Sequence, residues 1–204
     1  TLFRSILDPF AGEGDFLQAA AQAWNVTPYA NELDGERAAK CIERFGPKQA
    51  VRCDAERLSA SNNAFGLLWV NPPYDHDREA ADNKRVEFRY LRHSWKWAQD
   101  GAPVMWCIYQ QHITEAAAAF LAKHSRQVDV YALPGKHLGE YDQMVVVAIK
   151  GQPSDSEALY ESILAQKANP TLLDVQPEPL YKMPPPSTGR KFVFAPDMID
   201  HEQG

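Results

Sequence analysis

From residue 3 to residue 125, short apolar runs alternate with stretches of helical spacing, and no other feature of this 204-residue chain restricts its fold so strongly. "FRSILD" (3–8) reads as a strand, followed by "GDFLQAAAQAW", where Leu17, Ala20, Ala21 and Trp24 recur at helical spacing. "TPYANEL" (27–33) is a second strand, and the helix behind it shows one apolar face of Ala38, Cys41, Ile42 and Phe45 before Gly46-Pro47 stops it. "QAVRCD" (49–54) is a third strand. "FGLLWV" (65–70) is a fourth, apolar throughout as a central parallel strand must be. A helix over 84–99, a strand over 103–109 and a helix over 114–125 continue the alternation. Then it breaks. "VDVYAL" (128–133) and "QMVVVAIK" (143–150) are separated only by "PGKHLGEYD", which is no crossover helix, so the pair forms an antiparallel hairpin at the sheet edge. The expected fold is α/β: a mostly parallel seven-stranded sheet with an antiparallel final hairpin and helices on both faces.

Residues 1–150 thus make one domain, and 151–204 an appendage that packs on it. The appendage holds a helix over 154–168, a proline-rich strap over 170–186 and a short edge strand at "FVFAP" (192–196). Hydrophobic residues at 45% and charged ones at 24% supply a core and argue against disorder. A net charge of -6 removes any overall basic field, so nucleic-acid binding would rest on a local patch. Cys41, Cys53 and Cys107 are widely spaced and read as reduced core residues of a cytoplasmic protein. No apolar run is long enough to span a bilayer, and no membrane partner is expected.

Chemistry concentrates at the strand ends. "LDPFAGEGDFL" puts Asp8, Gly12 and Gly14 at the turn from the first strand into the first helix. Open α/β sheets bind ligands there: glycines let the backbone approach, and the helix start offers N–H groups. Glu32 ends the second strand and Asp54 the third, so acceptors line one rim. A tight turn would account for Gly-x-Gly alone; acids at three successive strand ends would not arise from it. A dinucleotide fits poorly, because Leu17 stands where the third glycine belongs. Asp8 and Glu13 would also face its pyrophosphate. The rim suits a nucleoside with a positively charged end.

"DPFAGEGDFL", "NEL", "CDA" and "NPPY" occur in the order and spacing of class I S-adenosylmethionine-dependent methyltransferases, with their Rossmann-like fold. Residues 1–150 resemble in particular the amino-methyltransferases marked by Asn/Asp-Pro-Pro-Tyr, including adenine-specific DNA methylases. The resemblance implies S-adenosyl-L-methionine as cofactor. It places Phe10, Ala11, Gly12 and Gly14 against the methionine part and Asp8 near its amino group. Glu32 would hold the ribose hydroxyls, Leu33 would touch the adenine face, and Asp54 with Ala55 would meet the adenine edge. The resemblance also implies a pocket segment upstream of the first strand, whereas this sequence reaches Asp8 almost at once.

Asn71-Pro72-Pro73-Tyr74 is a stiff arm, because each proline fixes its own φ and extends the residue before it. By the same resemblance it is the catalytic arm. The Asn71 side-chain oxygen and the Pro72 carbonyl would grip the two N–H groups of a flat amine, and Tyr74 would stack on its plane. Asp75-His76-Asp77 just beyond is a poor metal site, since three adjacent loop residues rarely converge on one ion.

Adenine in DNA, adenine or guanine in RNA, and a protein glutamine all present such an amine. On the 84–99 helix Arg85, Arg89, Arg92 and Lys96 fall on one stripe that would track a phosphate backbone, although a solvated helix face has the same pattern. Lys136 and His137 in the hairpin loop are a second contact of this kind, and DNA is favoured over RNA. Residues 151–204 are too few for a sequence-reading module of the usual kind, which weighs against a restriction-type enzyme. An RNA or protein-amide methyltransferase, and a non-catalytic binding module of the same fold, remain as alternatives. His112 and Gln110-Gln111 follow the fifth strand on the same rim, where ordinary polar loop residues also occur.

Overall fold

The computed structural model describes residues 4–73, 85–133, 143–173, 180–186 and 192–196. Tyr74, Lys136, His137, Asp75-His76-Asp77 and the hairpin loop at 134–142 lie outside the described residues.

Numbered in chain order, β3 (Ala50–Arg52), β2 (Thr27–Glu32), β1 (Ser5–Asp8), β5 (Leu67–Val70) and β6 (Pro103–Tyr109) lie side by side and parallel. β8 (Gln143–Lys150) runs antiparallel to β6, and β7 (Ser125–Ala132) antiparallel to β8. The seven expected strands are present, and the two-residue β9 (Thr171–Leu172) adds an eighth beside β7. The chain leaves β1 in one direction and β5 in the other. Their carboxyl ends therefore open the crevice of a switch point.

Helices α1 (Asp15–Trp24) and α2 (Gly35–Phe45) cover one face over Ile6, Ala30 and Leu67. Helices α3 (Val86–Ser94), α4 (Glu115–His124) and α5 (Ser156–Ala168) belong to the other, which buries Leu7, Leu68, Val70, Trp106 and Ile108. Side chains alternate across a strand, so neighbouring residues of β1 and β5 feed different cores. The helix starts are set by local capping: Asp34 accepts from Glu36 N and Arg37 N, Thr114 from Ala117 N, and Asp155 from Glu157 N and Ala158 N. Among the described residues no helix is long and apolar enough to cross a membrane.

Two expectations are corrected. The helix over 84–99 is shorter: α3 gives way to a 3-10 turn at Trp95–Trp97, which buries both tryptophans. Lys150 makes this tolerable, because its Nζ donates to the carbonyls of Trp95 (3.0 Å) and Ala98 (2.7 Å). The strand expected over 192–196 does not join the main sheet. Its residues Phe194–Pro196 form β10, antiparallel to β4 (Leu58–Ala60), in a separate two-stranded sheet. Ring contacts explain the choice, for Phe192 and Phe194 close on Tyr29 at 4.9 and 5.1 Å.

The described part of the strap lies on its own domain. Tyr181 Oη is 2.8 Å from Asp129 Oδ2 and 2.7 Å from Tyr131 Oη, Gln99 Nε2 donates to Pro185 O at 2.7 Å, and Met183 packs against the core that includes Ile6 and Leu67.

Candidate active site

At the switch point a cavity of about 520 Å³ opens between the ends of β1, β2, β3 and β5. Its walls begin with Asp8, whose Oδ1 accepts from Phe10 N at 2.9 Å and so bends the chain directly after β1. Ala11 N then donates to Asn31 O at 2.9 Å, and Gly12 N to Glu32 Oε2 at 2.8 Å. Glu32 Oε1 accepts from Asp34 N (2.9 Å) and Arg37 Nη2 (3.0 Å). One buried carboxylate thus ties the glycine loop to the start of α2. Oε2 with a single donor has capacity to accept again, which suits a hydroxyl-bearing ligand.

The two glycines have different work. Gly12 has φ 58, nothing stands within 4 Å of a Cβ built on it, and it lines the cavity. Gly14 has φ 83 and caps α1, but a Cβ there would come within 2.7 Å of the Phe45 ring and 3.2 Å of Cys41 Sγ. It lets α2 pack close and is not among the residues that line the cavity. Gly14→Ala is expected to lower unfolding free energy by roughly 1–3 kcal/mol through strain and overlap, and Gly12→Ala by about 1 kcal/mol through φ alone. Urea denaturation of both variants measures the difference.

Farther along the rim, Leu33, Asp54 and Ala55 line the same cavity. Asp54 caps the 3-10 turn Ala55–Arg57 through Oδ1, which accepts from Glu56 N at 2.9 Å. Asn31 fixes this edge against the glycine loop. Its Nδ2 donates to Pro9 O and Cys53 O, both at 3.1 Å, while its Oδ1 accepts from Cys53 N. Asn71, Pro72 and Pro73 close the cavity from the end of β5, with Pro72 buried and Asn71 exposed.

The electrostatics are those of an acid cluster. Asp8, 3% exposed, has its pKa raised to about 7, first by burial and further by the charge of Glu32, against the opposing Phe10 N–H. Such a site gains from a cation.

Three aromatic walls were not anticipated from the sequence. Trp69 stacks on Phe16 at 4.0 Å between centroids, and Tyr90 meets Phe10 edge-on at 4.7 Å; Phe16, Trp69 and Tyr90 all line the cavity. An indole in an otherwise aliphatic strand was the available signal for Trp69. The tyrosine one helical residue beyond Arg89 had none.

The basic stripe is smaller than expected. Arg85 precedes α3, so helical spacing does not govern it; it turns inward, with Nη2 3.2 Å from Glu87 Oε1 and 3.0 Å from His112 Nε2. His112 and the 1%-exposed Glu87 therefore belong to a buried network. Gln110 Nε2 donates to Lys167 O. Arg89 pairs with Glu56 at 2.6 Å, which leaves Arg92 and Lys96, lying over the rings of Phe88 and Trp97, at the exposed end. Among the described residues no cluster of metal-ligating side chains occurs.

The model of a family described as "Uncharacterised methyltransferase family (DUF6094)" matches residues 2–184. No curated protein matches the chain. Among solved structures, it is similar to the methyltransferase subunit of a type I restriction-modification system from Streptococcus thermophilus (TM-score 0.55, 14% identity, 83% of this chain and 48% of that one). The chain thus spans about half the length of that relative. A predicted O-methyltransferase from Agrobacterium tumefaciens is also similar (TM-score 0.51, 19% identity, 73% of this chain and 74% of that one). At these identities the likeness establishes the class I methyltransferase fold.

Proposed function

This chain belongs to the uncharacterised methyltransferase family DUF6094, and on that premise we propose that it uses S-adenosylmethionine to methylate the exocyclic amino group of adenine in DNA. One observation carries the reading: Asn71-Pro72-Pro73 and the acid rim of Asp8, Glu32 and Asp54 line one cavity. Its volume falls in the range of about 300–1,000 Å³ usual for small-molecule sites. Its chemistry also fits the cofactor, since carboxylates spaced along the rim suit ribose hydroxyls, an adenine edge and an ammonium group.

The cofactor, when bound, supplies an electrophilic methyl group on a sulfonium. The chain's own part is positioning. Adenine's amino nitrogen donates its lone pair into the ring, and two acceptors on its N–H groups draw that pair back onto nitrogen. Asn71 Oδ1 and the Pro72 carbonyl are those acceptors, and the two prolines hold them in place without further bonds. As the nitrogen gains its methyl it becomes cationic and acidic, so its proton passes to solvent without a strong base. Tyr74 is assigned the stacking role on sequence grounds. Arg92 and Lys96 would meet phosphates, with Lys136 and His137 as further contacts.

The restriction-modification relative supports a DNA substrate only through shared fold; the flat-amine grip of the arm is the stronger ground. Incubation with methyl-labelled S-adenosylmethionine and separate pools of DNA, RNA and protein decides the substrate. Label is expected on adenine in DNA. Label confined to RNA or protein would overturn the substrate assignment, and label nowhere the activity.

A further inference from the structure

The stacked pair Phe16–Trp69 has no place in the adenine, ribose or amine contacts, although both rings line the cavity. Phe16 is 40% exposed, so the pair is not simply core. Its position follows from strand register. Ile6 and Leu7 of β1 pair with Leu67 and Leu68 of β5. The next residues on these parallel strands are Asp8 and Trp69, which come up side by side on the same face. Asn71 lies two residues farther along the same strand direction, about 7 Å beyond Trp69. The indole is therefore level with the buried acid and below the amine grip.

An aromatic face beside a buried carboxylate is the composition of a site for an organic cation. The other charged groups of the cavity reinforce this. Glu32 and Asp54 are acidic, and the guanidinium of Arg37 is engaged at 3.0 Å by Glu32. We infer that Trp69, held flat by Phe16, is a specificity-determining wall for the ammonium end of the cofactor's amino-acid part, beside Asp8. This rests on the S-adenosylmethionine reading. It makes the pocket select ligands that carry the amino acid over nucleosides that lack it.

Calorimetric titration of the wild type, Trp69→Leu and Trp69→Phe with two probes tests the inference. S-adenosylhomocysteine carries the ammonium, and 5′-methylthioadenosine shares its nucleoside and thioether without it. Trp69→Leu is expected to weaken S-adenosylhomocysteine about tenfold and 5′-methylthioadenosine by less than about twofold. Trp69→Phe should keep most of the affinity for both. Equal losses for the two probes, or no loss, overturn the inference. Thermal melting checks folding, and if Trp69→Leu does not fold, Phe16→Leu must show the same selective weakening for the inference to stand. A wild type that binds neither probe is a separate outcome and overturns the cofactor reading itself.

Discussion

Asn71→Ala is expected to reduce methyl transfer by about 10²–10³-fold while S-adenosylmethionine affinity stays within about twofold of wild type. The separation follows from where Asn71 sits. Asn71 is exposed just beyond the last residue of β5, whereas the carboxylates that would hold the cofactor lie at the ends of β1 and β2 and just past β3. On the proposed mechanism, removing the amide takes away one of two acceptors that would localise the amine's lone pair, an effect felt mainly as nitrogen becomes cationic. The loss should therefore lie in kcat more than in binding. Asn71→Asp sharpens the result: a carboxylate also accepts, and partial activity is expected to return. Single-turnover methylation of labelled DNA, with calorimetry of cofactor binding alongside, measures both terms. A variant that loses cofactor binding in proportion to activity would show that the arm shapes the pocket and does not grip the amine.

How much of this was legible in the sequence depends on whether a residue's position is set locally. Asp8, Glu32 and Asp54 could be placed on one rim because Asp8 and Glu32 end strands, Asp54 follows β3 by two residues, and parallel strands end on the same side of a sheet. Asn71-Pro72-Pro73 followed for the same reason, and prolines leave an arm few other conformations. What could not be read is decided by packing between distant elements. Nothing in the sequence shows that the Phe45 ring on α2 closes on Gly14. Arg85 counted as one of a helical stripe, but it precedes the helix and is drawn to Glu87 and His112. The β4–β10 pair joins residues some 135 positions apart, and the aromatic cluster around Tyr29 packs on it. Trp69 stands out as an indole in an aliphatic strand, but nothing local reveals that Phe16 will hold its ring at a cavity wall.

Asp8→Asn is expected to make the unliganded protein more stable and its cofactor binding weaker. Burial raises the Asp8 pKa from 3.8 to about 7, with Glu32 adding to the effect. For an acid this sign means that the folded state holds the proton more tightly than the unfolded chain. The favourable contribution is complete below about pH 4 and is lost as pH rises towards 7; above that, the buried charge is a constant penalty. Asparagine is nearly isosteric and keeps an oxygen for Phe10 N, so it removes the penalty and little else. At pH 8 the variant should gain about 2–4 kcal/mol, or roughly 5–10 °C in melting temperature, and the gain should shrink steadily between pH 7 and pH 4. A cation bound at Asp8 reverses the balance, because it favours the charged carboxylate. The variant should therefore bind S-adenosylmethionine about 10–100-fold more weakly at pH 8, and the wild type should lose affinity as pH falls below 7. Melting curves with and without cofactor at pH 5 and pH 8 read both effects in one series. A lower melting temperature for unliganded Asp8→Asn at pH 8 would mean that the carboxylate stabilises the fold by its charge, and an unchanged affinity would mean that no cation meets it. If both expected shifts appear together, the buried acid is held at the expense of stability for the ligand's positive end.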